Sequence, residues 1–147
     1  MNQTAGTPSG PRGAVPAERA ARGKELSLRA LQALLALFFV FASALPKLIA
    51  HSSAVEGFEE IGFGMWFMYA IGVLELAGGI ALATPWLSGL SALALIALMV
   101  GAFITQVTLF EGRNAYTPVL LMIVLGVVAW ARRGTVTALA ARLRGTA

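Results

Sequence analysis

Cysteine is absent from the 147 residues, histidine occurs once, and charged side chains make up only 12%. Without cysteine the chain holds no disulfide, no thiol nucleophile, no dithiol relay of the quinone-reducing type, no iron–sulfur cluster and no Cys-ligated zinc. With His51 alone it cannot assemble a bis-histidine haem site or a histidine-rich metal cluster. No metal site is therefore expected, and a redox cofactor must come from a partner chain or sit without strong ligands. The shortage of charge points to the bilayer. Soluble domains are ~45–50% apolar and ~25% charged, whereas 58% of this chain is apolar. That is about 85 of the 147 residues, and at ~20 per crossing they supply about four membrane spans. The formal net charge is +4 and the pI about 10.4. The positive residues flank apolar runs and accompany no RNA- or DNA-binding motif, so no nucleic-acid partner is expected.

Residues 1–24, MNQTAGTPSGPRGAVPAERAARGK, are rich in proline and glycine and show no apolar periodicity, so a disordered cytoplasmic tail is expected. Four apolar runs follow, within a membrane domain over 25–133: Leu26 to about Ala50, Phe63 to Ala83, Trp86 to Phe110, and a short one from Ala115 to Ala131. Residues 134–147 form a basic tail. The fold class expected is all-α, an integral membrane four-helix bundle. Arg12, Arg19, Arg22, Lys24 and Arg29 precede or open the first run, and Arg132, Arg133, Arg142 and Arg144 follow the fourth. Only Lys47 and Arg113 fall on the other side, so the positive-inside rule puts both termini in the cytoplasm. The loop HSSAVEGFEEIGFG then faces outward. Val55, Phe58 and Ile61 recur in it at near-helical spacing, which predicts a short interfacial helix with Glu56, Glu59 and Glu60 in water. A signal peptide cleaved after Ala44 is the rival reading of the first run, whose basic and apolar parts are both long for one.

Glu75 is the most informative residue. It falls near the middle of the second run, where an ionised group costs at least ~2.5–3.5 kcal/mol unless it faces protein or water. Gly72, Gly78 and Gly79 lie at i−3, i+3 and i+4, so another backbone can approach closely around the carboxyl. It reads as a proton carrier or ligand contact, with an acid that merely ties two helices together as the plainer alternative. Lys47 is the candidate counter-charge, with Ser43 one turn before it. Taking residue 38 as the midplane of the first span lifts Lys47 about 13 Å above it. On that linear estimate its ammonium snorkels to the headgroups, and contact with Glu75 requires a kink at Pro46, an off-centre span or a water bridge. Gln106 in the third run lies near the level of Lys47, which allows a polar seam of Ser43, Lys47 and Gln106 above Glu75. Ala97 and Gly101 at i and i+4 suggest a close helix crossing. His51 and the turn Glu111, Arg113, Asn114 read as solvated.

The stretches FFVFASALPKL, IGFGMWFMYAIGVLELAGGIAL and LMVGAFITQ together resemble the DoxX and DoxX-like membrane proteins in order and spacing. The lysine after a proline and the Gly72, Glu75, Gly78, Gly79 pattern carry most of that likeness. The resemblance implies a multi-pass four-helix protein of the bacterial inner membrane, with Lys47 and Glu75 at the recurrent polar positions. It further implies a membrane subunit or scaffold of a quinone-linked redox complex, since relatives are associated with thiosulfate:quinone oxidoreductase and with oxidative-stress complexes. Quinone and an oxidoreductase partner, or a second copy of the chain, are the ligands and partners it suggests. The sequence holds no self-contained catalytic constellation, and a small proton-coupled transporter or a membrane-protein assembly factor stays open beside the redox reading.

Overall fold

The computed structural model describes residues 16–145, all of whose regular elements are helices. Helix α1 runs from Pro16 to Leu48. Proline is well placed in a first helical turn, and Ala, Glu, Arg and Lys after it are strong helix formers. Residues 16–24, expected to be unstructured, therefore continue the helix beyond its apolar part. Residues 1–15, the remainder of the expected tail, lie outside the described residues. Between Phe38 and Ala44 the helix widens to π geometry, with the Leu45 N–H donating to the Val40 carbonyl five residues back. Pro46 follows directly and offers no N–H of its own.

Helix α2 (Ser52–Ile61) forms where a short helix was expected. His51 caps it: the Ser53 N–H donates to the imidazole Nδ1 at 3.4 Å. Gly62 ends it in the left-handed region at φ 81°, a conformation that a side chain would strain. Its three glutamates are exposed. Helices α3 (Met65–Ala83), α4 (Ser88–Leu109) and α5 (Tyr116–Ala131) follow, and α6 (Arg133–Gly145) occupies what was read as the basic tail. The tight turn at Thr84–Leu87 makes α3 and α4 antiparallel neighbours.

Helices α1, α3 and α4 are each long and apolar enough to cross a membrane. Helix α5 has 16 residues and spans about 24 Å at ~1.5 Å per residue, so by itself it falls short. It passes only together with α6, which bends away from it by 60°. This is a multi-pass membrane protein. Its outer surface is accordingly apolar, with Leu34, Val73, Ile80, Ile104, Leu120, Ile123 and Val127 all exposed, as expected where lipid is the solvent.

The buried core gathers Leu35 and Phe39 of α1, Leu82 of α3, Ala92, Leu95 and Met99 of α4, and Leu125 and Val128 of α5. Those positions lie in the half of the bundle nearer the termini. The half nearer α2 is filled less completely, and the polar residues singled out above stand there.

Candidate functional site

Glu75 is 3% exposed within a helix whose other residues from Met65 to Ala83 are almost all apolar. Glycine creates its surroundings. A Cβ at Gly72 would stand 3.1 Å from Lys47 Cβ and from Leu48 Cδ2. One at Gly79 would stand 2.9 Å from Val40 Cγ2 and 3.2 Å from the Ala36 carbonyl oxygen. Both glycines thus admit α1 on one side of α3. Gly78 admits α4 on the other, where a Cβ would fall 2.6 Å from Leu95 Cδ2. Ser91 Oγ reinforces that second contact by donating to the Gly78 carbonyl at 2.6 Å.

The Lys47 ammonium donates to Glu75 Oε2 at 2.8 Å. It also donates to the Ser43 carbonyl at 2.8 Å and to Ser43 Oγ at 3.3 Å. The snorkelling ammonium expected from linear depth is therefore replaced by an inward one, for two physical reasons. First, α1 stops at Leu48 and its last turn lies beside Gly72, so Lys47 starts only one turn from Glu75. Second, a helical Cα–Cβ bond tilts toward the helix N-terminus. The lysine stem therefore runs back along α1 toward Ser43 and the level of the carboxyl. The wide turns of Phe38–Ala44 just before Pro46 are the kind of local irregularity that often marks a functional position in a helix.

Beside this pair lies a cavity of about 640 Å³ between α1, α2, α3, α4 and α5. Ser43, Lys47, Glu75 and Gln106 supply polar wall, and Phe38, Phe58, Phe67 and Phe110 supply part of the apolar wall. Helix α2 roofs it with Ser53, Ala54, Gly57, Phe58 and Ile61. Gln106 shares the cavity but makes no hydrogen bond to Lys47 or Glu75. Its Oε1 is buried with no hydrogen-bond partner among the described residues. The structure thus joins Ser43, Lys47 and Glu75 directly and brings Gln106 to the same space.

Gly101 departs from its expected role. A Cβ there would meet nothing within 4 Å, because Gly101 borders the cavity and no crossing helix touches it. Small residues at i and i+4 permit a close crossing but do not require one.

A second polar cluster, at the end of the bundle carrying the termini, was not singled out from the sequence. Gln32 is 5% exposed and its Nε2 donates to the Leu82 carbonyl at 3.2 Å, satisfying a carbonyl in the last turn of α3. Arg132, at the bend between α5 and α6, donates to Gln32 Oε1 through Nε at 3.2 Å and Nη2 at 3.0 Å. The same Nη2 donates to Glu25 Oε1 at 2.8 Å, and Arg29 Nε donates to that oxygen at 2.9 Å. Glu25 precedes the apolar run that begins at Leu26. Its hydrogen bonds from Arg132 and then Arg29 hold the carboxyl below the usual carboxylate range. The one signal in the sequence was a glutamine inside LRALQALLAL.

Among known proteins, the family model described as the DoxX-like family matches residues 30–142. The matched stretch takes in all of α3, α4 and α5 together with Ser43 and Lys47. No curated protein and no solved structure matches the chain.

Proposed function

The chain belongs to the DoxX-like family, and from that premise we propose that it is a membrane subunit or scaffold of a quinone-linked redox complex. In this reading its cavity receives the quinone ring, and Glu75, Lys47, Ser43 and Gln106 form the polar wall against it. The observation that carries the reading is a cavity of about 640 Å³ walled by an ion pair and an unpartnered amide in an otherwise apolar bundle. Small-molecule sites have this character: ~300–1,000 Å³, mostly apolar, with a few placed polar groups. An intramembrane acid held by a named partner is by default a functional position. The chain's own contribution is to bind and orient; the chemistry of electron transfer would belong to the quinone and to an oxidoreductase partner. We place the protein in the bacterial inner membrane with both termini inside, which the arginine-rich flanks support.

Affinity purification of the tagged protein from its native membrane in mild detergent tests the proposal. Co-purifying proteins are identified by mass spectrometry and lipid-soluble molecules by solvent extraction. An oxidoreductase or a quinone recovered in stoichiometric amount is the expected result. Recovery of the chain with neither would refute it.

A further inference from the structure

The charges of the chain are sorted between its two ends. Among the described residues, the end carrying the termini holds eight arginines and lysines, four within 19–29 and four within 132–144, against two acids, Glu18 and Glu25. Glu25 is already engaged by Arg132 and Arg29. Helix α6 contributes three of those arginines and no acid. The opposite end exposes Glu56, Glu59, Glu60 and Glu111 against Arg113.

The packing of α6 shows where its charges lie. Gly89 of α4 admits its first turn, since a Cβ there would stand 2.6 Å from Thr135 Oγ1 and 2.7 Å from the Arg132 carbonyl oxygen. Val136, Leu139, Ala140 and Leu143 recur at i, i+3, i+4 and i+7 and so form one apolar stripe. The first three are half-buried, whereas Leu143 at the far end is 67% exposed. The exposed Arg133 and Arg144 flank that stripe on one side, about three turns apart. The Arg133 guanidinium lies 4.5 Å from the centre of the Trp130 ring. Trp130 and Trp86 are both exposed at this end, and tryptophan settles at the membrane–water boundary. Because α6 leaves the α5 axis at 60°, its 13 residues climb only about 10 Å along that axis and run about 17 Å sideways. A helix with an apolar stripe, flanking arginines and this course suits the headgroup layer. We propose that α6 is a binding surface for anionic phospholipid headgroups of the adjacent leaflet, with Arg133 and Arg144 taking phosphate oxygens and Leu143 reaching the acyl chains. Guanidinium groups match phosphate in geometry as well as in charge. The surface stands apart from the cavity, so it is independent of the redox reading.

The test is calorimetric titration of the purified full chain, in a non-ionic detergent, with short-chain phosphatidylglycerol and with phosphatidylcholine bearing the same tails. A basic residue near the membrane surface contributes about fivefold in affinity for anionic lipid. Phosphatidylglycerol should therefore bind at least about fivefold more tightly at low salt, with the gap closing as salt is raised. The Arg133→Gln, Arg144→Gln double variant should lose most of the gap. The corresponding double lysine variant, which keeps both charges, should retain most of it, and Arg113→Gln at the opposite end should leave it unchanged. Equal binding of the two lipids by the wild type would overturn the proposal. So would a gap that survives intact in the glutamine variant, or one lost equally in the lysine variant. Inorganic phosphate that displaces phosphatidylglycerol at equal concentration would assign the arginines to a soluble anion and overturn the lipid assignment.

Discussion

Replacing Lys47 with methionine keeps an unbranched apolar stem and deletes the ammonium that Glu75 faces at 2.8 Å. The side chains of Lys47 and Glu75 are 17% and 5% exposed, so the pair is not screened as a surface bridge would be. Removing one member of a buried pair costs about 3–5 kcal/mol, because the other is left charged and unpaired. The partly exposed lysine argues for the lower end, about 3 kcal/mol, or roughly 6–12 °C in Tm for a chain of this size. Glu75→Leu alone strands the ammonium and should cost a similar amount. The double variant Lys47→Met with Glu75→Leu leaves neither charge, and apolar replacement of a whole buried pair is often neutral. It should therefore recover most of the loss. Thermal unfolding followed by size-exclusion chromatography in detergent gives the four Tm values of the cycle. A double variant that falls as far as the two single losses added together would show no coupling, and the argument for an inward-facing pair would be refuted.

Gln106→Leu should raise the Tm of the ligand-free protein, since a buried unpartnered acceptor costs about 1–3 kcal/mol; a fall would mean that Oε1 has a partner. Gly78→Leu should abolish folded protein in detergent because even a Cβ there meets Leu95 at 2.6 Å, whereas Gly101→Ala, with nothing within 4 Å, should fold as well as the wild type. Equal yields of monodisperse protein from those two variants would contradict this packing. Arg132→Ala leaves Oε1 of the buried Gln32 without its donors, which should cost about 1–3 kcal/mol, read as a lower Tm; an unchanged Tm would mean that the cluster contributes nothing to holding the bundle closed.

Hydropathy and spacing made the helical, multi-pass architecture legible, because apolar runs of this length have few other uses. The short helix between the first two spans was legible too, since Val55, Phe58 and Ile61 share a face that excludes the glutamates. Gly72 and Gly79 announced a close neighbour for Glu75 because i−3 and i+4 bracket one stripe of a helix. The Lys47 contact was not legible from depth alone, because a count of Cα positions at ~1.5 Å per residue leaves the ammonium near the headgroups. That count ignores the backward tilt of the side chain and the offset that lets α1 end beside Gly72. Arg132 reads in sequence only as a topological charge, and the residues it joins lie 100 and 107 positions away. Gly101 shows the converse limit: a pattern of small residues states what a surface permits, and only the packed neighbours state what it touches.

The inward ammonium also bears on how the chain enters the bilayer. An acid at the centre of an isolated helix costs about 2.5–3.5 kcal/mol on insertion scales; Glu75 of α3 is such a group, and Lys47 near the end of α1 is its partner. They lie 28 residues apart, with α2 between them serving as the turn of a helical hairpin. If the two helices leave the insertion machinery as a hairpin, each charge meets its partner before it meets lipid. If α3 left alone, its acid would enter lipid without a counter-charge, whereas the lysine at the end of α1 can snorkel to the headgroups. The ion pair therefore favours entry of α1 and α3 together over entry of α3 alone.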